Sequence, residues 1–302
     1  MASGYCRAQE LTGSIGVLRS DEPRERTYGW LLSYGEDLRR HFAASFSYQN
    51  EGHVPNHHRD GYAAQLWAKT SMLSPRLSLA IGAGPHRYFD TVRNDDGGYS
   101  DKHGWGLLYS ATATLYAARS PWLYQLRADR VVLSRGIDTT RLTAGLGYRL
   151  QRDAPREWRS TAPRSEVTFF GGRTIVNSFE SQTSSAYSVE LRHAFGPILR
   201  GSVAWLDESD ATLIHRKGVV LQGWLEPSFQ KERLSFGVGY GPYIASDDAR
   251  RDKNGAFGAG ILTLTASLRF SPAWVGRFSW NRVVSRYDRD TDVLLLGLGY
   301  RF

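Results

Sequence analysis

Apolar and polar residues alternate with a period of two along most of the chain. Between residues 262 and 270 an apolar side chain stands at every second position, with Thr, Ser or Arg between. The same alternation covers residues 42–49 and 141–150. A period of two is that of a β-strand, in which successive side chains point to opposite faces. The pattern predicts an all-β protein whose strands are apolar on one face and small or polar on the other.

Sixteen such segments can be counted, eight in each half of the chain. The predicted strands cover residues 12–20, 28–36, 41–50, 61–69, 76–89, 105–118, 122–133, 139–150, 166–176, 185–195, 199–208, 218–228, 233–244, 258–270, 273–284 and 291–302. Short turns alternate with longer polar loops, which are predicted at 21–27, 51–60, 91–104, 179–185, 209–217 and 246–255. Short turns at one end of the strands and long loops at the other are typical of outer-membrane barrels.

The two halves of the chain repeat each other. At an offset of 157, six positions of the first half recur in the second: Glu51, His58, Arg59, Gly61, Gln65 and Trp67 match Glu208, His215, Arg216, Gly218, Gln222 and Trp224. At an offset of 152, residues 145–150 match residues 297–302. We therefore divide the chain into a first eight-strand repeat over 8–150, a periplasmic turn or linker over 151–165, and a second eight-strand repeat over 166–302.

The last segment carries the most specific resemblance. Apolar side chains occupy alternate positions up to the final residue: Leu294, Leu296, Leu298, Tyr300 and Phe302. This ending resembles the C-terminal assembly signal of bacterial outer-membrane proteins, with Tyr300 and Phe302 as its last aromatic residues, and each half resembles an eight-stranded outer-membrane barrel in strand number. The resemblance implies a transmembrane antiparallel β-barrel in the bacterial outer membrane, with a signal peptide removed from its start. It also implies outer-membrane lipid and the barrel assembly machinery as partners.

Two closures of these strands are open at this point. One barrel of 16 strands, built from the two eight-stranded repeats, closes every edge and leaves a lumen wide enough for water. The alternative is two tandem eight-stranded barrels, whose interiors are filled by side chains. We favour the single barrel. A soluble β-sandwich is disfavoured, because the polar faces carry the Gly, Gln and Arg residues that suit a polar lumen.

Composition and charge exclude several classes of protein and site. Mean hydropathy is −0.42 and no apolar run is long enough for a membrane helix. The 38 basic residues outnumber the 30 acidic ones and are mostly Arg. They are spread through the alternating segments and form no basic helix or tail, so no nucleic-acid partner is expected. The single cysteine excludes an internal disulfide and a cysteine-rich metal site.

The polar strand faces supply the candidate binding residues. Six arginines are predicted to give the lumen a positive field that selects anions: Arg127, Arg141, Arg149, Arg192, Arg277 and Arg301. Few acids are expected beside them beyond Asp129, Glu190 and Glu226. An amide and an indole two positions apart share one strand face in both halves, in the pairs Gln65 with Trp67 and Gln222 with Trp224. These pairs either contact a solute such as a saccharide or fill the lumen and anchor loops.

Catalytic chemistry is less well supported. The segment from His53 to Asp60 holds three His residues beside acids, which suits metal binding or acid–base catalysis, but most of it is not repeated and a solvated extracellular loop is favoured. Its repeat places Arg216 on an exposed loop. No Ser, His and acid arrangement can be assembled, so no catalytic residue, metal or cofactor is predicted.

These observations favour an outer-membrane pore for small polar or anionic solutes, with saccharides among the candidates. A lipid- or polysaccharide-modifying enzyme and a structural or adhesion barrel are the alternatives.

Overall fold

The structure is a computed structural model that describes residues 9–74, 76–150, 163–179, 182–211, 214–230, 232–247 and 257–302. The chain divides into two compact units, unit 1 over Met1–Gln151 and unit 2 over Arg152–Phe302. Most of the predicted linker, residues 151–162, lies outside the described residues. Within the described ranges, no helix is long and apolar enough to cross a membrane.

Unit 1 is a closed antiparallel barrel of eight strands. Its strands are β1 (Gln9–Ser20), β2 (Arg26–Arg39), β3 (Phe42–Val54), β4 (His57–Ser74), β5 (Leu77–Arg93), β6 (Tyr99–Tyr116), β7 (Trp122–Leu133) and β8 (Thr139–Leu150). Each strand pairs with its neighbour in the chain, and β1 pairs with β8 along its whole length, from Gln9 opposite Leu150 to Ser20 opposite Thr139.

Unit 2 closes in the same way. Its strands are β9 (Ser165–Val176), β10 (Thr183–Ala194), β11 (Leu199–Ala211), β12 (Ile214–Leu225), the two-residue β13 (Ser228–Phe229), β14 (Leu234–Asp247), β15 (Phe257–Arg269), β16 (Trp274–Val284) and β17 (Thr291–Arg301). The circle is completed by β9 pairing with β17 and by β12 pairing with β14.

The predicted all-β class and the repeated antiparallel strands are confirmed, but the favoured closure into one 16-stranded barrel is wrong. The reason lies in the edge strands. Because β1 and β8 hydrogen-bond to each other throughout, unit 1 offers no free edge to β9 or β17. The structure adopts the alternative of two tandem eight-stranded barrels.

The alternation of the sequence becomes an apolar outer wall in both units. The interior of unit 1 is mostly polar, whereas that of unit 2 also contains a band of buried apolar side chains that includes Val220, Tyr243, Ile261 and Leu295. On β8, Leu142 is 64% exposed whereas Arg141 and Thr143 beside it are 2% exposed. Large apolar side chains are exposed on both outer walls, among them Ile15, Leu66, Ile81, Phe169, Leu268 and Leu296. Their exposure gives each barrel the outer surface that a lipid environment requires.

Two predicted loops are instead strand continuations. Strand β3 runs to Val54 and β4 begins at His57, so the predicted loop 51–60 is a tight hairpin. In unit 2, β11 and β12 extend to Ala211 and from Ile214. Each hairpin contains a register shift with one positive-φ residue, Gly52 (φ 67°) in unit 1 and Ser209 (φ 52°) in unit 2. At these equivalent β-bulges the alternation of apolar and polar residues is interrupted, but the strands remain paired on both sides.

The bulges also correct the placement of two arginines. Arg59 on β4 and Arg216 on β12 stand opposite the bulges of β3 and β11, and they point into the barrels rather than lying on exposed loops. The predicted loop at 91–104 is likewise shortened, because β5 ends at Arg93 and β6 begins at Tyr99.

Candidate functional site

Buried ion pairs and hydrogen bonds fill the interior of unit 1. Near its middle, Asp129 lies between two arginines, with Oδ1 2.7 Å from Arg127 Nε and Oδ2 2.7 Å from Arg141 Nη2. Ser110 Oγ donates to Asp129 Oδ1 at 2.5 Å. We call Arg127, Asp129 and Arg141 the central cluster. It holds two guanidinium groups and one carboxylate.

The predicted Gln65 and Trp67 pair packs against the central cluster. Gln65 Nε2 donates to Ser110 Oγ at 3.0 Å, and Arg127 Nη2 donates to Gln65 Oε1 at 2.9 Å. Trp67 Nε1 donates to Ser45 Oγ at 2.8 Å, and its ring lies 5.2 Å from the Arg127 guanidinium carbon. These polar groups are engaged with the protein itself, which matches the lumen-filling interpretation of the pair.

A second layer lies toward the end of unit 1 that carries the β3–β4 hairpin, which we call the loop end. Arg59 Nε donates to Glu51 Oε2 at 2.7 Å, and Arg59 Nη1 donates to the carbonyl oxygen of Ile137 at 2.5 Å. Thr139 Oγ1 donates to the same Glu51 oxygen at 3.2 Å. Glu51, Arg59 and Thr139 form the loop-end layer of unit 1, and all three side chains are buried.

Unit 2 repeats the loop-end layer with Glu208, Arg216 and Thr291. Arg216 Nε and Nη2 lie 2.5 and 2.7 Å from the two oxygens of Glu208, and Thr291 Oγ1 donates to Glu208 Oε2 at 2.5 Å. Beside the layer, Tyr287 donates to Asp247 Oδ2 at 2.7 Å. Burial raises the pKa of the Tyr287 phenol well above its usual value, so the group remains a donor.

At the opposite end of unit 2, five charged side chains form what we call the turn-end cluster. Its members are Glu166, Glu190, Arg192, Glu226 and Arg277. Arg192 Nη1 donates to Glu226 Oε2 at 2.5 Å, and Arg277 Nη1 donates to Glu190 Oε1 at 2.8 Å. Arg277 Nη2 also lies 2.5 Å from Glu166 Oε1. Each guanidinium is thus neutralised by buried carboxylates.

Trp224 and Gln222 connect the turn-end cluster to the interior of unit 2. The Arg192 guanidinium carbon lies 3.7 Å from the Trp224 ring centroid, and Trp224 Nε1 donates to Ser202 Oγ at 2.9 Å. Gln222 Nε2 donates to Thr263 Oγ1 at 2.8 Å. The Trp rings of both units lie flat on a glycine of the next strand, where a Cβ at Gly82 or Gly239 would approach the ring within 2.4 or 2.6 Å.

A cavity of about 20 Å³ lies in the interior of unit 2 beside Glu190 of the turn-end cluster. Its lining combines polar groups of Gln222, Thr263 and Asn281 with apolar surface of Leu206, Ile261 and Leu295. This volume holds about one water molecule. The interior of unit 2 therefore has room for about one water molecule beside these side chains.

The six predicted selectivity arginines fall into two groups. Arg127, Arg141, Arg192 and Arg277 lie inside the barrels, buried and ion-paired. Arg149 and Arg301 are half-buried at strand ends, where they approach the carbonyl oxygens of Ser120 and Pro163 at 3.2 and 3.4 Å. Their contribution to selectivity remains a prediction.

Sequence reasoning missed the acids that balance these arginines. Glu51, Glu208 and Glu166 point inward, although Glu51 falls in a predicted loop and Glu208 is the last residue of a predicted strand. A usable signal was present, since Glu51 and Arg59 recur as Glu208 and Arg216 at one offset. A pair of opposite charges that recurs at the same spacing in both halves favours a buried ion pair over a solvated loop.

The His-rich segment yields one defined pair. His57 Nδ1 lies 2.8 Å from Asp90 Oδ2 at the loop end of unit 1, and this contact holds the imidazole in one orientation. A catalytic or structural metal needs at least three protein ligands. Within the part of the chain that the structure describes, no group of three His, Cys, Asp or Glu side chains is arranged to hold one.

The last aromatic residues lie on the outer wall. Tyr300 is 44% and Phe302 57% exposed, and the Tyr300 ring packs on Trp274 with centroids 5.3 Å apart. Unit 1 has the equivalent contact between Trp122 and Tyr148, at 5.2 Å. The role of Tyr300 and Phe302 as an assembly signal stays a prediction.

Two self-closed sheets of eight long antiparallel strands, with apolar outer walls and buried ion pairs in their interiors, define the class of protein. The chain has the fold of a tandem outer-membrane β-barrel.

The similarities of the chain to known proteins are remote. No protein-family model matches the sequence, and no curated protein matches it. Among solved structures, the chain is similar to the N-terminal β-barrel domain of Pseudomonas aeruginosa OprF, with 14% identity and a TM-score of 0.39 over 47% of this chain and 96% of that one. It is similar to Neisserial surface protein A at 14% identity and a TM-score of 0.36, again over 47% and 96%. The Ralstonia pickettii toluene transporter TbuX is matched over 97% of this chain and 89% of that one, at 10% identity and a TM-score of 0.26.

Proposed function

We propose that this protein is an outer-membrane channel whose two narrow lumens are closed by buried Arg–carboxylate layers and pass small ions when those layers open. One observation carries the proposal: inside the apolar outer wall of unit 2, a water-sized cavity is lined by Glu190 of the turn-end cluster, and the buried Glu208–Arg216 pair crosses the same interior nearer the loop end. Charged groups that line a pore select the ions that pass it.

The charges of the interiors suggest which ions pass. The central cluster of unit 1 has two arginines for one carboxylate, which gives that lumen an excess positive charge. In the turn-end cluster of unit 2, Arg192 and Arg277 face three carboxylates, and the half-buried Arg200 Nε adds a contact to Glu226 at 3.2 Å. Small anions are therefore the proposed solutes of unit 1, and the proposal excludes saccharides, which are much wider than a water-sized cavity.

Planar-bilayer recording of the full chain tests the proposal. We expect brief, small current steps from the wild-type protein, because eight strands leave an interior only wide enough for side chains. Replacing both partners of one layer by Ser, as in Glu208→Ser with Arg216→Ser, removes one of the barriers in series and should increase the conductance.

The repeat supplies a matched variant, Glu51→Ser with Arg59→Ser, which makes the same change in unit 1. Leu142→Ala on the outer wall is the control and should leave the conductance unchanged. Slower migration of the heated than of the unheated protein on a denaturing gel verifies that each variant is folded. If all folded variants and the wild type are equally silent in the bilayer, the channel proposal fails.

A further inference from the structure

One arginine on the outer wall of unit 1 lies among aromatic rings. Arg87 is an outward residue of β5, since its neighbour His86 is fully buried and Ile81, on the same face, is 67% exposed. It stands opposite Tyr62 on β4 and opposite Trp105 on β6. Its guanidinium carbon lies 5.3 Å from the Trp105 ring centroid and 5.7 Å from that of Phe89.

Other charged groups on this outer wall have polar partners. Arg130 pairs with Asp21 at 2.7 Å and with Asp138 at 3.3 Å, and Asp60 accepts a hydrogen bond from Tyr48 at 3.0 Å. Among the described residues, no carboxylate forms an ion pair with Arg87. Its two aromatic contacts stabilise the cation but leave its N–H donors free.

The rings around Arg87 belong to an aromatic belt. Trp30, Tyr48, Tyr62 and Phe89 are linked by ring contacts of 5.2 to 5.9 Å across strands β2 to β5. Tyr48, Tyr62 and Phe89 are buried, and Trp105 is the exposed ring beside Arg87. Aromatic side chains of outer-membrane barrels are enriched at the membrane surface, at the depth of the lipid headgroups. Strand β5 has ten residues from Leu77 to His86, about the length that crosses a bilayer, so Arg87 stands at its boundary.

An apolar surface continues from Arg87 toward the middle of the barrel. The next outward positions are Pro85 opposite Leu107 and Ala83 opposite Tyr109, and Leu107 and Tyr109 are exposed. This surface accommodates an acyl chain. A guanidinium presents paired donors that match the oxygens of a phosphate. A lipid can contact both the Arg87 guanidinium and the apolar surface, whereas free phosphate can contact only the guanidinium.

We propose that Arg87, Trp105 and Phe89 form a binding site for the phosphate group of a membrane lipid on the outer wall of unit 1. The inference rests on the proposed membrane location. The repeat indicates one such site per chain, because the equivalent positions of unit 2 hold Ile244 opposite Gly258, with neither a cation nor a ring.

Native mass spectrometry of the full chain in detergent tests the site, with phosphatidic acid, phosphatidylcholine and inorganic phosphate as separate probes. We expect one tightly held phosphatidic acid per chain, weaker binding of phosphatidylcholine and no retention of inorganic phosphate. Arg87→Gln should weaken phosphatidic acid binding roughly tenfold, about the effect of one charge-assisted hydrogen-bonded contact. Trp105→Leu should weaken it less, since it keeps the guanidinium.

Arg130→Gln is the matched control, because it removes an outer-wall arginine that already has carboxylate partners. Equal phosphatidic acid binding by wild type, Arg87→Gln and Arg130→Gln would overturn the inference, as would retention of inorganic phosphate alone. Insertion is measured separately, by protease protection in phosphatidylcholine vesicles. Failure of the wild type to insert would overturn the proposed function, whereas insertion with no Arg87-dependent lipid binding would overturn only the lipid site.

Discussion

Arg216 and Glu208 are both fully buried, and each supplies the other's countercharge. Removing one partner of such a pair leaves an uncompensated buried charge, whereas removing both does not. Alternation along a strand predicts which face a residue occupies, but it does not predict its partner on another strand. The pattern misses the inward acids Glu51 and Glu208 for that reason, and because each lies at a bulge of β3 or β11 that interrupts the alternation.

The first prediction concerns this pair. Glu208→Gln or Arg216→Met alone should lower the free energy of unfolding by about 3–5 kcal/mol, and the double variant should cost clearly less than the sum of the two. Denaturant unfolding in detergent micelles, followed by tryptophan fluorescence, measures both. The same changes at Glu51 and Arg59 provide a comparison in unit 1. Additive losses would show that the two charges do not interact.

The second prediction concerns selectivity in the central cluster. Asp129→Asn removes the carboxylate between Arg127 and Arg141 and should shift the reversal potential toward stronger anion preference, while Arg141→Gln should shift it toward cations. Both shifts should grow as salt is lowered, since the Debye length rises from about 10 Å at 0.1 M to about 30 Å at 0.01 M. Arg130→Gln on the outer wall is the control. Identical shifts in all three variants would contradict a lumen role for the central cluster.

At the scale of the element, the period of two was enough to locate every long strand, but it did not locate the hairpins at the loop end. The sequence 51–60 is rich in His, Asn and Asp, which favours a loop, yet the structure pairs Asp60 with Asn50 and His58 with His53 across a bulge. What decides the outcome is cross-strand pairing, supported by the buried Glu51 and Arg59 contact. Such a contact between strands is invisible to a local pattern.

The third prediction concerns the bulge of unit 1. A Cβ at Gly52 would lie 2.0 Å from the carbonyl oxygen of Tyr28, and the residue has a positive φ. Gly52→Val should therefore destabilise unit 1 by about 1–3 kcal/mol. Ser209→Gly, at the equivalent bulge of unit 2, should be neutral or slightly stabilising, because Gly adopts a positive φ without strain. Thermal unfolding of the two variants in micelles is the measurement, and a loss of stability in both would argue against the strain explanation.

The number of strands does not determine how each sheet closes. Sixteen alternating strands suit one barrel or two, and the choice depends on whether β8 pairs with β1 or with β9. The matching faces of the first and last strand of each repeat were compatible with either. The structure shows which strands pair: β1 pairs with β8, with Ile15 opposite Ala144, and β9 pairs with β17, with Gly171 opposite Leu296.

The fourth prediction follows from these closures. Residues 1–150 and 163–302, expressed separately, should each insert as a monomer with heat-modifiable migration, since neither has a free strand edge. Gel mobility and analytical ultracentrifugation in detergent detect the result. Aggregation of either half, or dimers made of two halves, would show that its edges are not closed alone.

Self-closure also bears on how duplicated copies diverge. If both copies formed one barrel, a charged side chain gained in one copy would need a countercharge from the other, so the two interiors would evolve together. Here each copy compensates its own charges, and the sequences of the two interiors have diverged. Arg127, Asp129 and Arg141 correspond in the second copy to Ser279, Asn281 and Val293. Both copies retain the Glu–Arg–Thr layer and the Gln–Trp pair, while the charged clusters of the two interiors have diverged.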